Sequence, residues 1–252
     1  MISLEDVAKA TLKIECGKTR GSAFQFIKKN IVITNFHVVK SHIEQKAIIL
    51  ANTELGSKAE LKLIAYSPEE EFDYAILGMG EDLAEERIAL EPKLITPNRG
   101  TKVCFSGFPH GIDDLLVQVA HISGPFDELG FYIDGSVNAG NSGGPIVDIN
   151  DMKVIGIVTQ RRFLGGIDLY KVNRNLNEIY EHFQNMGKMA QVKIVGLDFG
   201  RFAQLISSAF AVFREVLEAN ANSGIGIGYR IEFVMQKLKE LKLDNLQTIS
   251  RK

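Results

Sequence analysis

Short apolar alternations, rather than long amphipathic runs, organise the first two thirds of the chain. Stretches of β type fall at 12–16, 23–26, 31–34, 47–50 and 61–66, separated by the turn-prone Gly17, Gly21, Lys29-Asn30 and Asn52. In the last of these Leu61, Leu63 and Ala65 share one face, as a period of two requires. A further apolar stretch at 74–77 precedes an irregular segment, roughly 79–100, that contains Pro92 and Pro97 and reads as a connection between two halves. The strand pattern then resumes at 103–106, 115–122, 131–133, 146–148 and 154–159. Over 161–221 the period changes. Leu176, Ile179, Tyr180 and Phe183 recur at helical spacing with Gly187 as a stop signal, and Phe202, Ile206, Ala209, Phe213 and Leu217 make a second apolar stripe.

With 252 residues, 45% hydrophobic, the chain can bury the core of one double-barrel unit or of two modest domains. Its formal net charge of -2, with both signs interspersed, offers no basic field for nucleic acid. The stretch 202–213 is interrupted by Gln204, Ser207 and Ser208, so no transmembrane anchor is expected. The first 20 residues carry Glu5 and Asp6 and no continuous apolar core with a cleavage site, so no secretory signal is visible. Cys16 and Cys104 are far apart and suit two reduced core thiols, which points to a cytoplasmic location. No Cys/His/Asp cluster has metal-ligand spacing, so neither a metal nor another cofactor is expected.

The chemistry is concentrated in Gly140-Asn141-Ser142-Gly143-Gly144-Pro145, a serine among glycines, with Thr34-Asn35-Phe36-His37-Val38-Val39 upstream. A hydroxyl that attacks an acyl carbon needs a base beside it and N–H donors facing the oxyanion, and glycines let the chain bend tightly enough to aim them. Gly140-x-Ser142-x-Gly144 also fits the nucleophile elbow of α/β-hydrolases, but an elbow requires a helix after the serine and a downstream histidine. Here Pro145-Ile146-Val147-Asp148 reads as a strand, and only His182 follows Ser142. The opposite chain order finds an acid in Asp73, at the mouth of the apolar Tyr74-Ala75-Ile76-Leu77, and gives the set His37, Asp73 and Ser142.

These residues resemble the trypsin-like, chymotrypsin-fold serine proteases, with the HtrA/Deg branch most similar. Gly21-Ser22-Ala23-Phe24 and Val154-Ile155-Gly156-Ile157-Val158-Thr159 add to the match. The resemblance implies a mainly β protein of two antiparallel β-barrels, 1–95 carrying His37 and Asp73 and 96–252 carrying Ser142, with the catalytic cleft between them. Gly224-Ile225-Gly226-Ile227-Gly228-Tyr229-Arg230-Ile231 resembles the family's last strand, which makes 161–221 a helical insertion and not a tail. Ile231, Val234, Met235, Leu238 and Leu241 then predict a closing helix over 231–242, and the family's C-terminal PDZ module is not expected.

By the same resemblance, His37 is the general base, Asp73 stabilises its imidazolium, and the N–H groups of Gly140 and Ser142 form the oxyanion hole. Asn141 stands where secreted relatives carry an aspartate that pairs with a released N-terminus, so activation is expected to depend on loop ordering. Ser136, Val137, Thr159, Gln160, Gly226 and Gly228 are the expected substrate pocket, with no acidic residue to select lysine or arginine. The expected substrate is a protein or peptide. The insertion, at the rim of that pocket, is expected to act as a lid, an exosite or a surface for a protein partner. An interaction module that retains the protease scaffold is the alternative class, and an esterase of the same fold stays open.

Overall fold

Short strands become a stable body here by closing on themselves, which leaves no unpaired edge. In the computed structural model, which describes residues 3–80, 83–161, 169–189, 193–194, 197–220 and 224–244, two six-stranded antiparallel barrels result. The first consists of β1 (Thr11–Cys16), β2 (Thr19–Phe26), β3 (Lys28–Thr34), β4 (Ile49–Asn52), β5 (Lys58–Ser67) and β6 (Tyr74–Met79), in the order β1-β2-β3-β6-β5-β4. The second consists of β7 (Lys102–Gly107), β8 (Leu116–Phe126), β9 (Gly130–Ile133), β10 (Pro145–Asp148), β11 (Lys153–Arg161) and β14 (Gly226–Arg230), in the order β10-β11-β14-β9-β8-β7. This is the chymotrypsin-type architecture that the motifs imply.

Several local expectations need correction. Residues 4–10 form α1 (Leu4–Ala10), set by a capping box in which Asp6 N–H donates to Ser3 Oγ at 3.3 Å and Ser3 N–H to Asp6 Oδ2 at 2.8 Å. The aromatic and β-branched Phe36-His37-Val38-Val39 reads as a strand end, but β3 stops at Thr34 and α2 (Phe36–Gln45) begins at once, closing on Lys46 in a left-handed conformation. In the segment 161–221, α3 (Leu169–Met189) runs through Gly187 and α4 (Phe199–Asn220) follows the two-residue pair β12 (Lys193–Ile194) and β13 (Leu197–Asp198). A glycine inside a helix costs only about 1 kcal/mol, which its helix-forming neighbours offset. The closing helix is α5 (Glu232–Glu240).

By compactness the chain divides into Met1–Arg162 with Gly224–Lys252, and Phe163–Ser223. Within the smaller unit α3 and α4 pair: Phe183 stacks on Phe210 with centroids 6.4 Å apart, and Ser207 Oγ donates to the Tyr180 carbonyl at 3.2 Å. Leu176, Ala203 and Ser207 are buried, whereas Phe202, Leu205, Val212 and Phe213 of α4 are exposed. No helix among the described residues is long and apolar enough to cross a membrane.

In the larger unit one apolar cluster joins the barrels. Phe24, Phe26, Ile33 and Ile76 meet Cys104, Val147, Val154 and Ile157, with Val7 and Ala10 of α1 and Val234, Met235 and Leu238 of α5. Burial pushes the Cys104 thiol up to about 12, so it behaves as a core hydrophobe. The segment between the barrels stitches them through its main chain. Leu90 exchanges hydrogen bonds with Gln25 and Ile27 of the first half, and Val154 exchanges them with Glu91 and Lys93.

Lys93 also secures the second barrel, its Nζ lying 2.6 Å from the buried Asp148 and 2.8 Å from Asp151. Burial raises the Asp148 pKa, but Lys93 and the Asn150 N–H outweigh it and hold the carboxyl below its ordinary 3.8. That stabilisation is present in full above the unfolded-state value and is lost as pH falls through the lower folded-state value. Lys93→Met, which leaves Asp148 buried without its cation, is expected to lower unfolding stability by about 2 kcal/mol at neutral pH. Urea unfolding is expected to show that deficit shrinking as the pH is taken below about 4, where the carboxyl protonates.

Candidate active site

Two glycine-dependent bends and one helix start bring the chemistry-bearing residues to the seam between the barrels. Asp73, the residue before β6, is only 2% exposed and has φ +43, a left-handed backbone that few residues other than glycine adopt. Its carboxylate is fully engaged. Oδ2 accepts from His37 Nδ1 at 2.8 Å and from Thr159 Oγ1 at 2.8 Å, and Oδ1 accepts from the His37 N–H at 3.1 Å. An ionised carboxylate only accepts, so His37 carries its proton on Nδ1 and leaves Nε2 as the basic nitrogen. The main chain of Asp73 is tied by its N–H to the Pro68 carbonyl at 3.0 Å and by its carbonyl to Asn35 Nδ2 at 2.7 Å.

Thr159 belongs to the second barrel and lies where the β11–β14 register shifts between Val158 and Gln160. Such a bulge re-aims a side chain, and here the Thr159 hydroxyl reaches Asp73 while its carbonyl accepts from Ser142 Oγ at 3.1 Å. Thr159 therefore touches both Asp73 and Ser142, while His37 bonds Asp73. Among the described residues no hydrogen bond joins Ser142 Oγ to the His37 ring; the hydroxyl is turned to Thr159 instead.

The serine loop needs its glycines. Gly140 and Gly143 have φ of +96 and +89, and a Cβ on Gly143 would collide with the Ser22 carbonyl and Thr34 Oγ1. Ser22, on β2 of the first barrel, pins this loop of the second. Its N–H donates to the Ser142 carbonyl at 2.8 Å, and its hydroxyl donates to the Gly140 carbonyl at 2.7 Å and accepts from the Phe108 N–H at 2.9 Å. Among the described residues the N–H groups of Gly140 and Ser142 find no acceptor. His110, in a turn, donates its N–H to the Ala139 carbonyl at 2.7 Å and lies against Gly140, where a Cβ would be 2.8 Å from its ring. Asn141 is buried, and neither polar atom of its amide has a partner.

The expected pocket residues divide. Val137 is buried in the core of the second barrel with Phe131, Ile133 and Ile146, rather than lining an open pocket. Gly226 is bare against Val137, and Gly228 against Ile146 and Phe131, so these two glycines make room for that core. Ser136 is exposed, Thr159 turns to Asp73, and the Gln160 side chain lies outside the described residues. Burial, and secondly the nearby Asp73 charge, push the Tyr229 hydroxyl above its ordinary value, so it stays protonated beside the site. Among the described residues no group of three or more His, Cys, Asp or Glu is placed to hold a metal ion.

Two connectors were not legible as such. Ser22 and Asn35 lie inside recognisable motifs, but only the fold shows that each reaches another part of the site; their position next to Gly21 and His37 was the available signal.

Residues 21–157, more than half of the chain, match the family model of the trypsin-like peptidase domain, and the chain belongs to that family. It is 27% identical over 236 residues to a probable periplasmic serine endoprotease DegP-like of Rickettsia prowazekii, covering 89% of this chain and 42% of that protein. It is 28% identical over 191 residues to serine protease HTRA4 of Homo sapiens, covering 70% and 38%. The chain thus spans less than half the length of these relatives. Among solved structures, Rv3671c from M. tuberculosis in an inactive form superposes with a TM-score of 0.56 at 17% identity, covering 95% of this chain and 89% of that one. The serine endoprotease from Yersinia pestis gives 0.53 at 24% identity, covering 64% and 59%. These last likenesses concern the fold.

Ser22→Ala removes one hydroxyl that serves two buried main-chain groups, and is expected to cost about 2 kcal/mol of stability. Chemical denaturation of the variant beside wild type measures it.

Proposed function

We propose that the chain is a serine endopeptidase that hydrolyses peptide bonds in protein or peptide substrates through an acyl-enzyme on Ser142. The observation that carries this reading is the buried Asp73 carboxylate, which orients the His37 imidazole through Nδ1 and shares Thr159 with the Ser142 hydroxyl. The reaction requires the Ser142 hydroxyl to leave the Thr159 carbonyl for His37 Nε2. Oγ then attacks the substrate carbonyl carbon as Nε2 takes the proton, and Asp73 stabilises the imidazolium. The tetrahedral oxyanion is received by the N–H groups of Gly140 and Ser142, which are otherwise unspent. The imidazolium returns its proton to the leaving amine as the C–N bond breaks, and water repeats the sequence to release the acid.

Selection of the substrate side chain is assigned to Ser136, Thr159 and Gln160, of which Ser136 is exposed. A cytoplasmic location is supported by the two cysteines, both buried and free. A partner-binding role for the insertion is the second reading. It is favoured by the exposed Phe202, Leu205, Val212 and Phe213 on one helix of that unit.

A fluorophosphonate probe is expected to label the wild type and not Ser142→Ala, and labelling of both or of neither would refute the assignment. Asp73→Asn is expected to lower kcat by about 10⁴-fold, as loss of the correct imidazole tautomer does in enzymes of this kind, measured by steady-state cleavage of a peptide library hit.

A further inference from the structure

Asn35 is the N-cap residue of α2, and asparagine at that place normally uses its side-chain oxygen to accept an N–H of the first turn. Here it makes no such bond. Its Oδ1 is buried without a partner, and the residue is 0% exposed, an arrangement that costs about 1–3 kcal/mol. The amide cannot be the other way round, because the Asp73 carbonyl at 2.7 Å can only accept and must face Nδ2. The missing cap is supplied from elsewhere. The Asp73 Oδ1 accepts the N–H of His37, the second residue of α2, and so takes the capping place with the helix dipole in its favour. Asn35 and Asp73 have exchanged roles: the carboxylate caps the helix, and the asparagine anchors the main chain that carries the carboxylate.

We infer that Asn35 is a positioning residue of the reaction, holding Asp73 in its left-handed conformation so that one carboxylate both caps α2 and orients His37. The φ of +43 at Asp73 is a left-handed state that costs any residue other than glycine free energy, so outside support holds it. The Asn35 bond to the Asp73 carbonyl supplies it, and the same Nδ2 reaches Thr159 Oγ1 at 3.4 Å, whose own hydroxyl is then left to donate to Asp73 Oδ2. The donors thus run in one direction, from Asn35 through Thr159 to Asp73, with His37 arriving from the other side. The inference rests on the reading of His37, Asp73 and Ser142 given above.

The test uses Asn35→Ser, a good helix cap that cannot reach the Asp73 carbonyl, with Asn35→Leu as an apolar replacement of similar size. If Asn35 served only to start α2, the serine variant would match wild type in activity. The inference expects kcat to fall on the order of 10²-fold, the loss typical of a small misplacement of catalytic groups, with KM unchanged. In the same variant the far-downfield NMR resonance of the His37 Nδ1 proton is expected to be lost. Thermal denaturation checks that the protein is folded at the assay temperature, and Asn35→Leu supplies the same two readouts should the serine variant unfold. Retention of kcat, or of the resonance, in a folded variant overturns the inference. Absence of Ser142-dependent turnover in the wild type overturns the hydrolytic reading first, and the role in the reaction with it. The resonance then still reports whether Asn35 holds the His37–Asp73 pair.

Discussion

A carboxylate buried to 2% exposure at the seam of two barrels survives as a charge only if donors surround it. Asp73 receives three, and they come from both sides: the main chain and ring of His37 from the first barrel, and the Thr159 hydroxyl from the second. Neither barrel alone could satisfy the group, and separating them would expose a charge whose partners had been divided. The start of α2 at Phe36, the bulge at Thr159 and the docking of the two sheets are therefore not independent features. Each is a condition for an anion to exist at that depth.

The serine loop follows the same logic with neutral groups. It belongs to the second barrel, yet its two left-handed glycines are held open by β2 of the first, through the Ser22 main chain and hydroxyl. Gly21 adds a steric reason, since a Cβ there would lie 2.6 Å from Val38 and 3.0 Å from the Ser142 carbonyl. The site is therefore built across the seam twice, once by charge and once by close backbone approach. Rigid strands, rather than the loop itself, fix where Ser142 can be.

The barrels were legible because short apolar stretches, alternating in β1, β4, β5 and β8 and continuous in most of the others, are punctuated by glycine and the Lys29-Asn30 pair. His37, Asp73 and Ser142 were legible because their chain order and flanking residues restrict the chemistry. What escaped was whatever local pattern cannot carry. Phe36-His37-Val38-Val39 is rich in β-branched and aromatic residues and reads as a strand end, yet Asp73, 36 residues away, caps it as a helix. Val137, Gly226 and Gly228 were assigned to a pocket because they stand near the nucleophile or on the last strand, whereas tertiary packing turns them into the core. Gly187 reads as a helix stop, but a glycine ends a helix only where the chain takes a left-handed turn with its carbonyls satisfied.

The seam also carries conformational cost. Asp73 holds a backbone state worth about 1–3 kcal/mol of strain in a residue other than glycine, the Asn35 oxygen has no partner, and the buried Asn141 amide has none on either atom. These three lie at or beside Asp73 and Ser142; elsewhere in the unit Ile27 has φ +63, and Asn52 Nδ2, Glu85 Oε2 and Arg230 Nε are also buried without a partner. A fold selected for stability alone would relieve them cheaply: glycine at 73 would relax the backbone, and serine at 35 would cap α2 directly. Glycine would delete the carboxylate, and serine would release it. At positions 35 and 73 the cost persists because the groups that bear it cannot be replaced without losing the orientation of His37.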